Sequence, residues 1–304
     1  MNVKLTKNIN EANCITHSGT FHADEIFATV ILSKIIPEIT LIRVPEVLGK
    51  SNENTLVYDI GAGKFDHHQF GGNGQRLNGV KYAACGLIWK EYGKQLLEKY
   101  NIDEVEYTWN YIDKNLIQFI DSNDNGQLPK MQVDYRNVHL SYIISLFNPK
   151  WDEADDSDEK FLKALNLANI IFDEFLIDTF AKMKAKKQVE QAIVEATDGI
   201  MILEKNIPWK EFLLNSENKK AEEINYVVFP SNRGGYNVYA VPLEIGSFEN
   251  RKTLPQSWRG KRDKELQEIT GVKTARFCHN AGFICSCETK TDAVILAYEA
   301  NEIE

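Results

Sequence analysis

Short β-branched stretches alternate with amphipathic helical ones along the first 130 residues, and that alternation restricts the chain to few folds. Residues 13–16 (NCIT), 40–44 and 55–60 (TLVYDI) read as strands, while residues 24–36, 82–100 and 104–120 read as helices. Pro37 stops the first helix, and Trp109, Ile112, Leu116 and Phe119 recur at intervals of three and four in the last. Strands that alternate with helices are joined by crossovers, which generate a mainly parallel sheet. The expectation is an α/β domain.

Beyond residue 150 the pattern changes. Residues 151–160 (WDEADDSDEK) hold six acids and read as a solvated loop leading into a helix N-terminus, where acids suit the helix dipole. A metal-binding loop is the sharper alternative, but the Gly turn of an EF-hand is missing. A long helix follows, with an apolar ridge at Phe161, Leu165, Ala168, Phe172 and Phe175 continuing toward Ala196. Its lysine run, Lys182, Lys184, Lys186 and Lys187, reads as a solvated face. Strands are expected at 199–203, 225–231, 236–242, 276–279 and 282–287, and helices at 263–269 and 292–300. The expected layout is a catalytic domain with its linker helix over 1–196 and a smaller α+β substrate-binding domain over 197–304.

Composition narrows the class further. Hydrophobic residues at 43% and charged residues at 26% are globular values. Apolar stretches are interrupted by charges or Pro well short of a membrane span, and MNVKLTKNIN has no signal-peptide core, so no membrane partner is expected. Five cysteines, an odd number, argue against a disulfide scaffold and for a reducing cytoplasm. A net charge of −9 gives no support for bulk electrostatic binding of a long duplex.

Against that acidic background there are only six histidines, four of them before residue 70. Three segments carry them or their acidic neighbours. THSGTFHADE at 16–25 runs from a strand end into a helix, VYDIG at 57–61 ends a second strand, and KFDHHQ at 64–69 follows a Gly-containing turn. Ligands of parallel α/β sheets bind outside the carboxyl ends of strands. One His–Asp pair at such an end usually reads as a hydrogen-bonded surface or core pair; three segments at one edge are much harder to dismiss. Together with Asp121 and Asp124 in IDSNDNG, they supply roughly the seven or eight ligands that two divalent ions need. Mixed imidazole and carboxylate donors suit Mn²⁺, Fe²⁺, Co²⁺ or Zn²⁺ better than Mg²⁺.

Asp66-His67-His68 matches the motif that names the DHH phosphoesterases. THSGTFHADE, VYDIG, FDHHQ and DSNDNG, with SFENRKTLPQSWRGKRDKEL and RFCHNAGFI later on, resemble the melanocyte-proliferating-gene family of DHH-like metal-dependent hydrolases across nearly the whole chain. The resemblance implies an N-terminal DHH-type domain, a smaller substrate-gripping C-terminal domain, and a site in the cleft. It implies one ion on His17, His22 and Asp59 and a second on Asp24, Asp59, His67 and the Asp121/Asp124 segment, with Asp59 bridging and manganese favoured over Mg, Co, Fe or Zn. The wider superfamily usually begins His, three residues, Asp, one residue, Asp. Here His22 stands where the first carboxylate would be, which favours a softer metal. Between Asp121 and Asp124 the reading leans to Asp121, because Asp-Asn-Gly forms turns in its own right.

In the second half, Arg251-Lys252 and Arg259-Gly260-Lys261-Arg262 form a basic cluster. Arg259 is expected to stabilise charge on a phosphoryl group, and Arg262 and His279 to contact substrate. Phe283-Ile284 is followed by Cys285-Ser286, not by the Gly-Gly pair that related phosphoesterases often carry. Cys278, Cys285 and Cys287 read as buried small hydrophobes rather than metal ligands. His68 is expected to support the metal site or to donate a proton to the departing oxygen. The expected activity is hydrolysis of a phosphoester or phosphodiester with two divalent ions, as an exonuclease on short or single-stranded RNA or DNA. The alternatives are a hydrolase of a small phosphorylated metabolite or another bond, and a non-catalytic metal-binding regulator. Homodimerisation is left open.

Overall fold

The computed structural model describes residues 1–47, 54–129, 132–153 and 157–303. Asp155 and Asp156, part of the acidic run considered above as a metal loop, lie outside the described residues. The chain divides into two compact units, Met1–Phe180 and Ala181–Glu304.

The first unit contains strands β1 (Val3–Leu5), β2 (Cys14–His17), β3 (Ile39–Val44) and β4 (Leu56–Val57). They form one parallel sheet in the order β1-β3-β2-β4. Its helices are α1 (Ala23–Ser33), α2 (Ala84–Glu98), α3 (Val105–Ile112), α4 (Gln118–Asp124), α5 (Leu140–Ser145) and α6 (Ser157–Glu195), and the unit boundary falls inside α6. Every residue of α1 from Ala23 to Leu32 is buried, so this helix has no solvent stripe and forms the centre of the core. Trp89 and Trp109 each donate an indole N–H to the other's backbone carbonyl, at 3.3 and 3.0 Å. Gly93 makes room for them, since a Cβ there would lie 2.7 Å from the Trp89 ring. On α6 the buried ridge runs Phe161, Leu165, Ala168, Phe172 and Leu176, with Phe175 only partly buried beside it.

Two elements differ from the sequence reading in ways that shape the site. The 55–60 strand shrinks to Leu56–Val57, because Asp59 takes a left-handed backbone (φ 57°) that turns the chain out of the sheet. The helix expected over 104–120 is instead α3, a widened π-type turn at Asp113–Ile117, and α4, which runs on to Asp124. Spacing of three and four residues does not reveal a π-turn, which inserts one extra residue into the helical count.

The second unit adds β5 (Ile200–Ile202), α7 (Lys210–Leu214), α8 (Lys220–Glu223), β6 (Tyr226–Pro230), β7 (Tyr236–Ala240), α9 (Asp263–Thr270), β8 (Ala275–Cys278), β9 (Ile284–Cys287) and α10 (Lys290–Glu302). Its five strands form a mixed sheet in the order β5-β6-β7-β9-β8, with only β5 and β6 parallel. Val238, Ala240, Cys285 and Cys287 point into a core shared with Leu296, Ala297 and Ala300 of α10. Cys278 is buried in the same core, as expected of small hydrophobes. Among the described residues no helix is long and apolar enough to cross a membrane.

Candidate metal centre

The carboxyl end of β2 delivers His17 and then a sharp loop through Gly19 (φ 83°). Arg43 of β3 underpins this loop. Its guanidinium donates to Gly19 O at 2.7 Å and to His17 O at 3.3 Å, and stacks 4.5 Å from the Phe161 ring. His22 is the N-cap of α1, and its backbone N–H donates to both oxygens of Glu25 at 2.9 Å. Asp24 and Glu25 therefore occupy the first turn, where the helix dipole favours negative charge, yet both are buried.

From the neighbouring strand, Tyr58 continues the pairing through its N–H to Ile15 O, and Asp59 then swings inward. Asp66 organises the next turn: Oδ2 accepts from Ala62 N at 2.6 Å, and Oδ1 accepts from His68 N at 3.1 Å and from His68 Nδ1 at 2.7 Å. Asp124 arrives from the last turn of α4.

These residues meet. Asp59 Oδ2 lies 3.1 Å from His17 Nε2, and its Oδ1 lies 3.3 Å from His67 Nε2. His67 Nε2 is also 3.1 Å from Asp124 and 3.7 Å from Asp24, and His17 Nε2 is 3.1 Å from Glu25. Overlapping triads, each with ligand atoms within 4.8 Å, are His17–His22–Glu25, His22–Asp24–Asp124, Asp24–Glu25–Asp59 and Asp59–His67–His68. Beside them opens a pocket of about 410 Å³ lined in part by His17, Thr20, His22, Asp59 and His68.

The electrostatics call for a cation. Burial pushes the Asp24 carboxyl well above its usual range, and the charges of Asp59, Glu25 and Asp124 push it further the same way. Burial opposes protonation of His17, but hydrogen bonds and charge from Asp59 and Glu25 outweigh it and raise the imidazole to about 11. Burial opposes protonation of His67 too, but the nearby carboxylates of Asp124 and Asp59 outweigh it and raise the imidazole to about 10. Burial tends to raise Asp59, yet the two imidazoles hold it below its normal value. Both oxygens of Asp24, Oδ1 of Asp59 and Nε2 of His67 are buried without a hydrogen-bond partner. Buried polar groups are ordinarily satisfied, and orphaned carboxylate oxygens facing an imidazole are what a divalent ion would complete. The residues present thus fit a metal centre.

The geometry separates the two acids of IDSNDNG. Asp124 stands in the cluster, whereas Asp121 lies apart, and the lean toward Asp121 is reversed. Asp121 is fully buried beside Arg76, with Nη1 2.8 Å from its Oδ2, and accepts from Gly86 N at 2.9 Å. Arg76 also clasps Asp113 through Nε at 2.8 Å and Nη2 at 2.6 Å. This triad fastens the loop that follows His67 and His68 to the helix that carries Asp124. The lean fails because Asp124 closes α4 with its carboxylate inward, and the turn comes only afterwards, at Gly126 (φ 66°).

Sequence reasoning misses Glu25, since the His-x-x-Glu capping pair does not carry the usual Ser or Thr that would flag it. His68 is 61% exposed, with Nδ1 held by Asp66. Arg259 sits in the second unit, where it donates to Leu254 O at 3.0 Å and Thr253 Oγ1 at 2.7 Å and packs under Gly282; these contacts brace a loop. Arg262 stacks over Phe277 at 4.7 Å, and His279 accepts from Ala281 N while lying 4.4 Å from the Phe283 ring.

A family model described as "Uncharacterised protein family (UPF0160)" and labelled MYG1_exonuc matches residues 13–300. The MYG1 protein of Saccharomyces cerevisiae is 33% identical over 97% of this chain and 97% of its own. The MYG1 protein of Dictyostelium discoideum is 30% identical over 95% and 96%. The human MYG1 exonuclease is 30% identical over 93% of this chain and 84% of its own. No solved structure matches the chain.

Proposed function

Because this chain belongs to the MYG1 family, we propose that it is a divalent-metal-dependent phosphodiesterase of DHH type that removes nucleotides from the end of short or single-stranded RNA or DNA. The relatives named exonuclease support hydrolysis of nucleic acid. The observation that carries the metal dependence is the set of orphaned buried atoms on Asp24, Asp59 and His67, converging from three separate segments. An acidic chain gains a phosphate-binding site by placing cations at such a cluster, so the net charge of −9 is no obstacle.

When bound, divalent ions polarise the phosphoryl group and lower the pKa of a coordinated water. Asp59 reaches both His17 and His67 and would be shared between two ions. His17, His22 and Glu25 would hold one ion and Asp24, His67 and Asp124 the other, with the groups overlapping at His22, Asp24 and Glu25. Manganese suits this nitrogen and oxygen mixture. Asp66 keeps a proton on His68 Nδ1, so Nε2 is the nitrogen that exchanges a proton with the departing oxygen. The buried Arg76 pair with Asp113 and Asp121 keeps the His67–His68 loop in register. The odd cysteine count, with all thiols buried, supports assignment to the cytoplasm.

The deciding experiment follows end-labelled single-stranded RNA and DNA with Mn²⁺, Mg²⁺ or Co²⁺ added to chelator-treated protein. Stepwise shortening that stops in EDTA and in Asp59→Asn is expected. Failure to cleave any nucleic acid or simple phosphate ester with any ion defeats the reading.

A further inference from the structure

We infer that the second unit carries a separate nucleotide-binding pocket, built on the sheet face opposite α10, that holds one unpaired nucleotide of a single strand. The proposal rests on the nuclease reading for its choice of ligand, but the pocket itself is read from the second unit alone.

The pocket has a volume of about 540 Å³, within the range of small-molecule sites. Its floor follows from strand alternation. Val238, Cys285 and Cys287 face the core, so Asn237 of β7 and Ile284 and Ser286 of β9 face the other way and line the pocket. Three guanidiniums surround this floor: Arg233, Arg262 and Arg276. No Asp or Glu lines it among the described residues, so three guanidiniums, one of them paired with Glu288 outside the pocket, make a locally positive patch in a chain of net −9. Arg233 is presented by the β6–β7 hairpin, where Ser231 N donates to Gly235 O at 2.8 Å and Gly234 and Gly235 supply the left-handed turn (φ 83° and 75°). Gly235 cannot be replaced cheaply, since a Cβ there would lie 2.2 Å from Cys287 O. Arg276 is steered by Gly234 O at 3.2 Å and by Glu288 at 3.3 Å, outside the pocket.

The chemistry is that of a nucleotide rather than a bare anion. Guanidiniums grip phosphate through paired donors. The Arg262–Phe277 stack at 4.7 Å offers a flat surface against which a base can lie, and the Asn237 amide and Ser286 hydroxyl offer hydrogen bonds to a base edge. A pocket of this size admits one base out of its helix, which excludes paired strands.

The test titrates a fluorescein-labelled single-stranded oligonucleotide into the full chain in EDTA, so that the metal centre contributes nothing. Wild type should bind with clear salt dependence. Arg233→Gln/Arg276→Gln should weaken binding about tenfold or more and flatten the slope of log K against log salt by about 1.4, at ~0.7 for each phosphate no longer neutralised. Ser286→Asp, which sets a carboxylate among the guanidiniums, is a second variant should the first misfold, and should weaken binding likewise. Absence of wild-type binding in EDTA, or unchanged affinity and slope in variants that melt normally, overturns the pocket. Binding that persists in a protein that cleaves nothing with any divalent ion would defeat the nuclease reading and leave the pocket standing.

Discussion

Loading the cluster with metal should expel protons, and the number can be worked from the site. In the metal-free protein His17 titrates at about 11 and His67 at about 10, so both are protonated near neutrality. A ligating imidazole must be neutral, so filling the centre releases about two protons, with Asp24 a further source because burial and neighbouring carboxylates raise it. Two protons make the overall loading constant rise about 100-fold per pH unit across roughly pH 7 to 9, or ~2.7 kcal/mol per unit at ~1.36 kcal/mol each. Stability depends on pH differently in the metal-free and loaded states. Folded-state values raised above the ~6.5 of free imidazole mean that the metal-free fold holds protons the unfolded chain has lost. Its histidine–carboxylate stabilisation is full below about 6.5 and declines as pH climbs toward 10 and 11. Metal-loaded protein, with neutral imidazoles, has no such loss. Calorimetric titration with Mn²⁺ in buffers of differing protonation enthalpy counts the protons, and thermal melts with and without EDTA across that range test the stability sign. Proton release near zero with pH-independent affinity would refute the assignment of His17 and His67 as ligands.

Asp59→Asn should abolish turnover and weaken binding of every ion in the cluster, seen as reduced metal stoichiometry after dialysis, because Asp59 touches both His17 and His67. Asp124→Asn should lower metal content with little change in the melt of metal-free protein, whereas Asp121→Asn should leave the stoichiometry intact and cost about 1–3 kcal/mol in denaturant titrations, since it removes one of the two carboxylates that hold the buried Arg76 and leaves only Asp113. Gly86→Ala ought to gain ~1 kcal/mol of helix propensity, yet its Cβ would lie 1.8 Å from Asp121 Oδ2; a net loss of about 1–3 kcal/mol is expected, and a stabilised variant would contradict the packing. Asp66→Asn should cut kcat by about tenfold to a hundredfold with KM and metal content nearly unchanged, by freeing the His68 tautomer that a pH–rate profile reports.

Much of the site was legible in the chain because its chemistry comes in compact runs at strand ends. His17, His22 and Asp24 lie within one strand-to-helix passage, and Asp59, His67 and His68 within the next, so residue type and the parallel-sheet rule suffice to nominate them. Arg76 gave no such signal. It stands in a glycine-rich loop, and its partners Asp113 and Asp121 belong to helices whose phase depends on the π-turn at Asp113–Ile117. The proposed nucleotide pocket was legible only at Arg262, since Arg233 and Arg276 carried no motif of their own and join it only through the β6–β7 hairpin and β8.

By itself, the sequence determined the parallel α/β first unit and nominated most of the histidines and acids that gather in the cluster, because alternation of apolar residues and the types of donor atoms are local properties. Only the tertiary structure decided that Asp124 and Glu25, not Asp121, complete the cluster, and that Arg259 braces a loop. Those choices depend on helix phase and on which buried charge finds a partner, and both are settled when distant segments pack together.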